Sequence, residues 1–253
     1  MDWHEAILLF AGGVLAGTIN VLAGGAGFMT FPLLIAAGMG ELEANASNFV
    51  ALVPANIAGI IAYRHEIRRP GLKLGWRMLL AAVGGTLGSL TLLWLGEASF
   101  RVAVPWLLLF ATICFGGAPF LKNWLERHHG FDGREWLWLC FLLEFIVYTY
   151  GGYFGLGMGI LLLAIYAMFG HEDIHEANAL RNATITLMTF IGIGIFAQAG
   201  VIRWVPSLIM MAGAVIGGYG MGHFARRMPQ KIVRNAILIW AIVLTAIAFW
   251  RYS

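Results

Sequence analysis

The chain carries very little charge. Aspartate, glutamate, lysine and arginine make up 11% of its 253 residues, against about 25% in an average soluble protein. A stretch of 35 residues at 6–40 and another of 20 residues at 102–121 contain none of them. A bilayer core of about 30 Å is crossed by about 20 helical residues. Low charge and 60% apolar residues therefore exclude a soluble globule and a disordered chain.

Cysteine is scarce, and the start of the chain lacks basic residues. Cys114 and Cys140 lie inside apolar segments without a CxxC spacing, which excludes a disulfide scaffold and is typical of small buried residues. A signal peptide begins with a basic region. The N-terminal residues Asp2 to Glu5 include no lysine or arginine, so this region is missing. We expect the first apolar segment to stay in the mature protein.

Two of the apolar blocks have an unusual length. The blocks lie at 6–40, 44–63, 78–96, 102–121, 136–170, 182–202, 204–225 and 235–250. The first and fifth, at about 35 residues, are too long for one crossing and short for two. Each is interrupted by glycines, Gly24-Gly25-Ala26-Gly27 in the first and Gly151-Gly152 with Gly155, Gly157 and Gly159 in the fifth. The sequence predicts an all-α polytopic membrane protein in which both blocks are broken, re-entrant helix pairs.

The positions of the basic residues predict the orientation. Twelve of them fall in three clusters, which we expect to be cytoplasmic because lysine and arginine favour that side. The clusters flank apolar spans, a pattern that indicates membrane orientation rather than a nucleic-acid-binding surface. Three basic residues are then expected outside. Because each broken block is expected to enter and leave the membrane on the same side, both termini face outward. The clusters are Arg64, Arg68, Arg69, Lys73 and Arg77; Lys122, Arg127 and Arg134; and Arg226, Arg227, Lys231 and Arg234.

The sequence contains a weak internal repeat. Glu43-Ala44-Asn45-Ala46 recurs as Glu176-Ala177-Asn178-Ala179, an offset of 133 residues. The predicted orientation makes the helix after Glu43 run inward and the helix after Glu176 run outward. We expect two inverted repeats, 1–121 and 135–253, joined by a basic loop at 122–134, each a broken pair followed by three transmembrane helices. Inverted repeats with broken helices are a transporter architecture.

These motifs resemble a known family. Gly24-Gly25-Ala26-Gly27 leading to Pro32-Leu33-Leu34, then 150–159 (YGGYFGLGMG) and 177–182 (ANALRN), are similar to the sulfite exporter TauE/SafE family, over about residues 8 to 250. The resemblance implies an inner-membrane transporter of bacteria or archaea that exports sulfur-containing or related organic anions, without fixing the anion.

A small anion at the bilayer midplane needs hydrogen-bond donors and positive potential. Glycine leaves backbone N–H groups accessible, and a helix N-terminus adds partial positive charge. We therefore predict a substrate site between the two glycine loops, with four asparagines donating amide hydrogens; the alternative is that the asparagines cap helices and the glycines allow close packing. The site residues are Gly24, Gly25, Ala26, Gly27, Asn45, Asn48, Gly155, Gly157, Gly159, Asn178, Arg181 and Asn182.

Two charged residues lie in apolar segments, Glu144 in the middle of one and Arg181 at the edge of another. Arg181 is expected to face the substrate, with extension to the inner surface as the alternative. Glu144 is the candidate for proton coupling; it could instead pair with Arg181 or stay hydrated near the inner interface. We expect no cofactor, and the oligomeric state stays open.

A competing interpretation is an enzyme. His171-Glu172-x-x-His175 matches the H-E-x-x-H pattern, in which two histidines bind zinc and the glutamate acts as a base. The matching connector at 40–43 has no histidine, and no third ligand follows in a transmembrane segment. We therefore expect no metal site and no enzyme. A passive anion channel is the remaining alternative.

Overall fold

The computed structural model describes residues 3–23, 25–67, 74–127, 137–169, 174–220 and 230–252. The regular elements within these ranges are α-helices, which confirms the all-α prediction. The helices are α1 (Trp3–Ala23), α2 (Gly27–Ala36), α3 (Glu41–Ala51), α4 (Val53–Ala62), α5 (Arg64–Ile67), α6 (Leu74–Arg127), α7 (Leu137–Tyr153), α8 (Met158–Met168), α9 (Ile174–Gln198), α10 (Trp204–Gly220) and α11 (Gln230–Tyr252).

The helices have the lengths and surfaces of a multi-pass membrane protein. In the described ranges four segments are long and apolar enough to cross a bilayer, namely Glu41–Ala62, Leu74–Ala118, His175–Gln198 and Ile232–Tyr252. The second has 45 residues and is broken at Gly96, whose φ is 72°. Large apolar side chains such as Trp94, Phe120 and Trp250 are mostly exposed, as expected for helices that face lipid rather than water.

The two glycine-rich blocks are broken helices, as predicted. Gly25, at φ 82°, separates α1 from α2, and Gly155 and Gly157, at φ 82° and 81°, separate α7 from α8. Residues other than glycine rarely adopt a positive φ. Helices α2 and α8 have 10 and 11 residues, so each covers only about half of a hydrocarbon core at 1.5 Å per residue.

The chain forms two compact units, each built from separate stretches. Unit 1 comprises Met1–Ala55, Leu92–Thr112 and Ile193–Ser253, and unit 2 comprises Asn56–Thr91 and Ile113–Gly192. These units are groupings in space and do not test the predicted repeat boundaries at 121 and 135.

Small residues bring helix backbones together in unit 1. A Cβ added at Gly213 would collide with the Phe10 carbonyl oxygen, and one added at Gly217 with that of Val14. The Thr18 hydroxyl donates to the Val14 carbonyl at 2.8 Å and lies 3.3 Å from that of Gly217. Helices α1 and α10 therefore pack at the short distance that small-xxx-small patterns permit.

Unit 2 contains a similar contact between α6 and α7. A Cβ at Gly84 would lie 3.1 Å from the Phe145 carbonyl oxygen, and one at Gly88 would collide with that of Thr149. Ser89 donates a hydrogen bond to the carbonyl of Gly152 at 3.2 Å. Two glycines four residues apart thus accept a neighbouring backbone in each unit.

The N-terminus of α3 is capped from a distant part of unit 1. Gly40 precedes the helix and offers no side chain. The Glu97 carboxylate accepts hydrogen bonds from the backbone N–H of Glu41 at 2.6 Å and of Leu42 at 3.0 Å. Because the first N–H groups of a helix lack partners within it, Glu97 fixes where α3 begins. Arg101 and Tyr252 in turn bind the Glu41 carboxylate.

Candidate functional site

The first glycine loop forms a tight turn in unit 1. Gly24 lies outside the described residues. The Gly25 carbonyl accepts from the N–H of Phe28 at 3.1 Å, and the Ala26 carbonyl accepts from that of Thr30 at 3.0 Å. Ala26 has a right-handed helical conformation, so its methyl group is tolerated where glycine is not required. Ala26 and Gly27 are buried.

A residue that the sequence analysis did not single out links this loop to α3. The Thr30 hydroxyl lies 3.1 Å from the Ala26 carbonyl oxygen and 2.5 Å from Oδ1 of Asn48. Thr30 is fully buried, as is Asn45, and Asn48 is 3% exposed. Two of the predicted site residues, Ala26 and Asn48, are thereby brought together. Thr30 looked like an ordinary helix residue because its partner is distant in sequence.

The asparagines occupy helix interiors rather than caps. Gly40 is the N-cap of α3, so Asn45 and Asn48 follow within the helix. Asn178 and Asn182 likewise lie inside α9, which begins at Ile174. The alternative that these four residues merely cap helices is therefore wrong. An asparagine in a helix interior directs its amide sideways, where it can bond to another segment or a ligand.

The second glycine loop ends at the start of α8 in unit 2. Gly157 is the N-cap, in the left-handed conformation, and its carbonyl accepts from Ile160 N–H at 3.0 Å. The Tyr150 hydroxyl donates to the Leu156 carbonyl at 2.6 Å and holds the loop against the end of α7. The N-terminus of α8 supplies partial positive charge at this point.

Arg181 lies beside the first turn of α8. A Cβ added at Gly159 would be 3.5 Å from Cδ of Arg181 and 4.0 Å from its Nε. The guanidinium donates to Oδ1 of Asn182 at 3.1 Å, and Nδ2 of Asn182 donates to the Gly59 carbonyl at 3.4 Å. Asn178 lies one helical turn earlier and is partly buried. The predicted residues Gly159, Arg181 and Asn182 therefore form one cluster.

Glu144 has a different partner from the one considered. Its Oε1 lies 3.4 Å from Nη2 of Arg77, and the two side chains are 0% and 3% exposed. The prediction that Arg77 lies in a loop is wrong, because Arg77 belongs to α6, which begins at Leu74, and is 2% exposed. A lone carboxylate in an apolar run indicates that a cation lies nearby, but this signal does not identify which basic residue supplies it.

The H-E-x-x-H motif falls largely outside the described residues. His171 and Glu172 are not described. His175 is exposed on α9 and its ring lies 6.1 Å from that of Tyr63. In the described ranges no group of three histidine, cysteine, aspartate or glutamate side chains has the spacing of a metal site.

Comparisons with known proteins give one family model and several related membrane proteins. The sequence model described as "Sulfite exporter TauE/SafE" matches residues 9–249. The chain is 26% identical to a "Probable membrane transporter protein" of Haemophilus influenzae, covering 94% of this chain and 92% of the relative. It is 27% identical to the "Probable membrane transporter protein YfcA" of Escherichia coli K12, covering 94% and 87%. No solved structure gives a significant match.

Proposed function

The chain belongs to the sulfite exporter TauE/SafE family, and from this premise we propose that it moves small sulfur-containing or related organic anions across the inner membrane. We propose export because the family is described as a sulfite exporter. In unit 2, taken by itself, the proposed anion-binding residues are Gly155, Gly157, Gly159, Asn178, Arg181 and Asn182. In unit 1, taken by itself, they are Gly24, Gly25, Ala26, Gly27, Asn45 and Asn48.

The single observation that carries the proposal is the position of Arg181. Its guanidinium lies beside Gly159, in the first turn of a helix that starts at a break in an apolar segment. A cation and a helix N-terminus both attract negative charge. Within the described residues no carboxylate lies at salt-bridge distance from Arg181. Such a charge in a membrane segment is expensive unless a partner, a water-filled cavity or a ligand compensates it.

Unit 1 supports the proposal with neutral donors. The amide groups of Asn45 and Asn48 lie in the buried interior of α3, and Thr30 connects Asn48 to the first glycine loop. Buried amides beside a break can replace part of the hydration shell that an anion loses.

The transport mechanism that we propose is alternating access. The breaks at Gly25 and at Gly155 divide apolar segments into short helices that can move as bodies, and inverted repeats provide two related arrangements of the same elements. The orientation with both termini outside and the inverted relation of 1–121 to 135–253 are part of the proposal. Support for the repeat comes from matched glycine contacts in each unit.

Counterflow in proteoliposomes tests this function. Vesicles loaded with unlabelled anion should transiently accumulate labelled anion, because a carrier exchanges substrate across the membrane. We expect this for at least one of sulfite, thiosulfate and a small sulfonate, and none for protein-free vesicles. Loss of signal with all three would contradict the proposal. Flux without transient accumulation would favour the passive anion channel. Bound zinc in the purified protein, together with zinc-dependent peptide hydrolysis, would favour the enzyme.

A further inference from the structure

A buried ion pair in unit 2 has open hydrogen-bonding positions. Arg77 is 2% exposed and Glu144 is fully buried, and they meet through one contact of 3.4 Å between Nη2 and Oε1. The Nε and Nη1 atoms of Arg77 and Oε2 of Glu144 have no hydrogen-bond partner among the described residues. Buried ion pairs that only stabilise a fold ordinarily have their remaining donors and acceptors satisfied. This pair therefore retains two unsatisfied donor atoms and one unsatisfied acceptor.

The groups around the pair come from three helices. The Arg77 guanidinium lies 4.8 Å from the centre of the Tyr166 ring, and the hydroxyls of Tyr148 and Tyr166 are 3.0 Å apart. The Cys140 thiol donates to Oε1 of Glu144 at 3.2 Å. The Thr184 hydroxyl of α9 hydrogen-bonds to both tyrosines, and Arg181 of α9 interacts electrostatically with Tyr166. In the described part of unit 2 these are the polar and charged groups placed against the pair from α7, α8 and α9.

Arg77 contacts the helices on both sides of the second break. Glu144 belongs to α7, which ends at Tyr153 just before the glycine loop, and Tyr166 belongs to α8, which begins just after it. Arg77 comes from α6 and contacts both. A movement of α8 relative to α7 would therefore change the surroundings of Arg77.

The charge of the pair depends on one proton. Arg77 with ionised Glu144 is neutral. Protonation of Glu144 leaves a buried guanidinium without a counter-ion, which is unfavourable in apolar surroundings. A monoanion on Arg77 restores neutrality, and the guanidinium geometry suits two oxygens of an oxyanion.

We propose that Arg77 and Glu144 form a proton-coupled anion site, in which a small monoanionic oxyanion takes the place of the Glu144 carboxylate on Arg77 once Glu144 is protonated. This inference rests on the proposed function and adds a second substrate contact and a coupling ion to it. One proton binds and leaves with each anion, so the cycle carries no net charge. Export then runs only where the outward anion gradient exceeds the opposing proton gradient.

The first test measures binding. Calorimetric titration of the purified full chain with methanesulfonate, repeated in two buffers of different ionisation enthalpy, counts the protons taken up with the anion. Methanesulfonate is suitable because its own charge does not change near neutral pH. We expect about one proton per anion in the wild type, and none in Glu144→Gln, whose amide imitates the protonated acid. Glu66→Gln, a change of the same kind on α5 of the same unit, should keep the wild-type value.

The second test measures flux of methanesulfonate into proteoliposomes with a clamped membrane potential. An inside-alkaline gradient should raise wild-type uptake by up to about tenfold per pH unit. Glu144→Gln should lose this response and keep anion exchange, whereas Arg77→Gln should lose exchange. Equal responses in wild type and Glu144→Gln would overturn the coupling site and leave transport intact. Proton-linked binding without flux would overturn transport and leave the site, and no binding of methanesulfonate would overturn the site.

Discussion

The hydroxyl oxygens of Thr112 and Thr245 lie 3.1 Å apart in the buried interior of unit 1. The two residues are separated by 133 positions, the offset of the repeated Glu-Ala-Asn-Ala motif. In unit 2, Nδ2 of Asn56 donates to Oγ1 of Thr189 at 3.0 Å, again across 133 positions. Residues at equivalent places in two repeats meet only near an axis that relates those repeats, so each pair supports the repeat that we propose.

The threonine pair should contribute measurably to stability. Valine at Thr112 or Thr245 keeps the shape and removes the hydroxyl. In a double-mutant cycle we expect a coupling energy of about 0.6 kcal/mol, the usual size of a hydrogen bond between membrane helices. The measurement is reversible unfolding in mixed micelles. Additive effects of the two changes would show that the hydroxyls do not interact.

The matched glycine contacts lead to a second prediction. Alanine at Gly217 in unit 1 or Gly88 in unit 2 would force apart backbones that now touch, and we expect each change to cost about 1–3 kcal/mol of unfolding free energy. The control is Gly194→Ala on α9, where an added Cβ has nothing within 4 Å among the described atoms. Equal melting temperatures for all three variants would contradict the close packing.

Two neighbouring glycines of the second loop should respond in opposite ways. Gly157→Ala places a side chain at φ 81° and should destabilise by about 1–2 kcal/mol. Gly159→Ala meets Arg181 only at ordinary contact distance and removes a flexible residue from a helix, so its melting temperature should stay equal or rise.

Thermal unfolding of the purified variants measures both effects. A similar loss of stability in both variants would contradict the different backbone conformations of Gly157 and Gly159.

The breaks could be predicted because their signals are local. Uncharged stretches give the helices, and glycines at 25, 155 and 157 supply the conformations that end them. The sequence predicts that Arg181 and Gly159 belong to the same site. It does not predict that they lie side by side, because the spacing does not show which residues touch.

The pairing of Arg77 with Glu144 escaped prediction for a physical reason. The two residues are 67 positions apart, and a basic residue at the edge of an apolar block has the same local pattern whether it lies in a loop or in the first turn of a helix. The bond from Thr30 to Asn48 was missed similarly, because hydrogen bonds between helices depend on which faces meet. Periodicity does not contain that information.

The most direct test of the account is sulfite flux by Arg181 variants in proteoliposomes. Arg181→Ala should abolish flux while expression and melting temperature stay near wild type, and Arg181→Lys should retain part of it because the positive charge remains. Arg64→Ala, an exposed change on α5, should transport normally. Flux in Arg181→Ala equal to that of the wild type would contradict the proposal that Arg181 binds the transported anion.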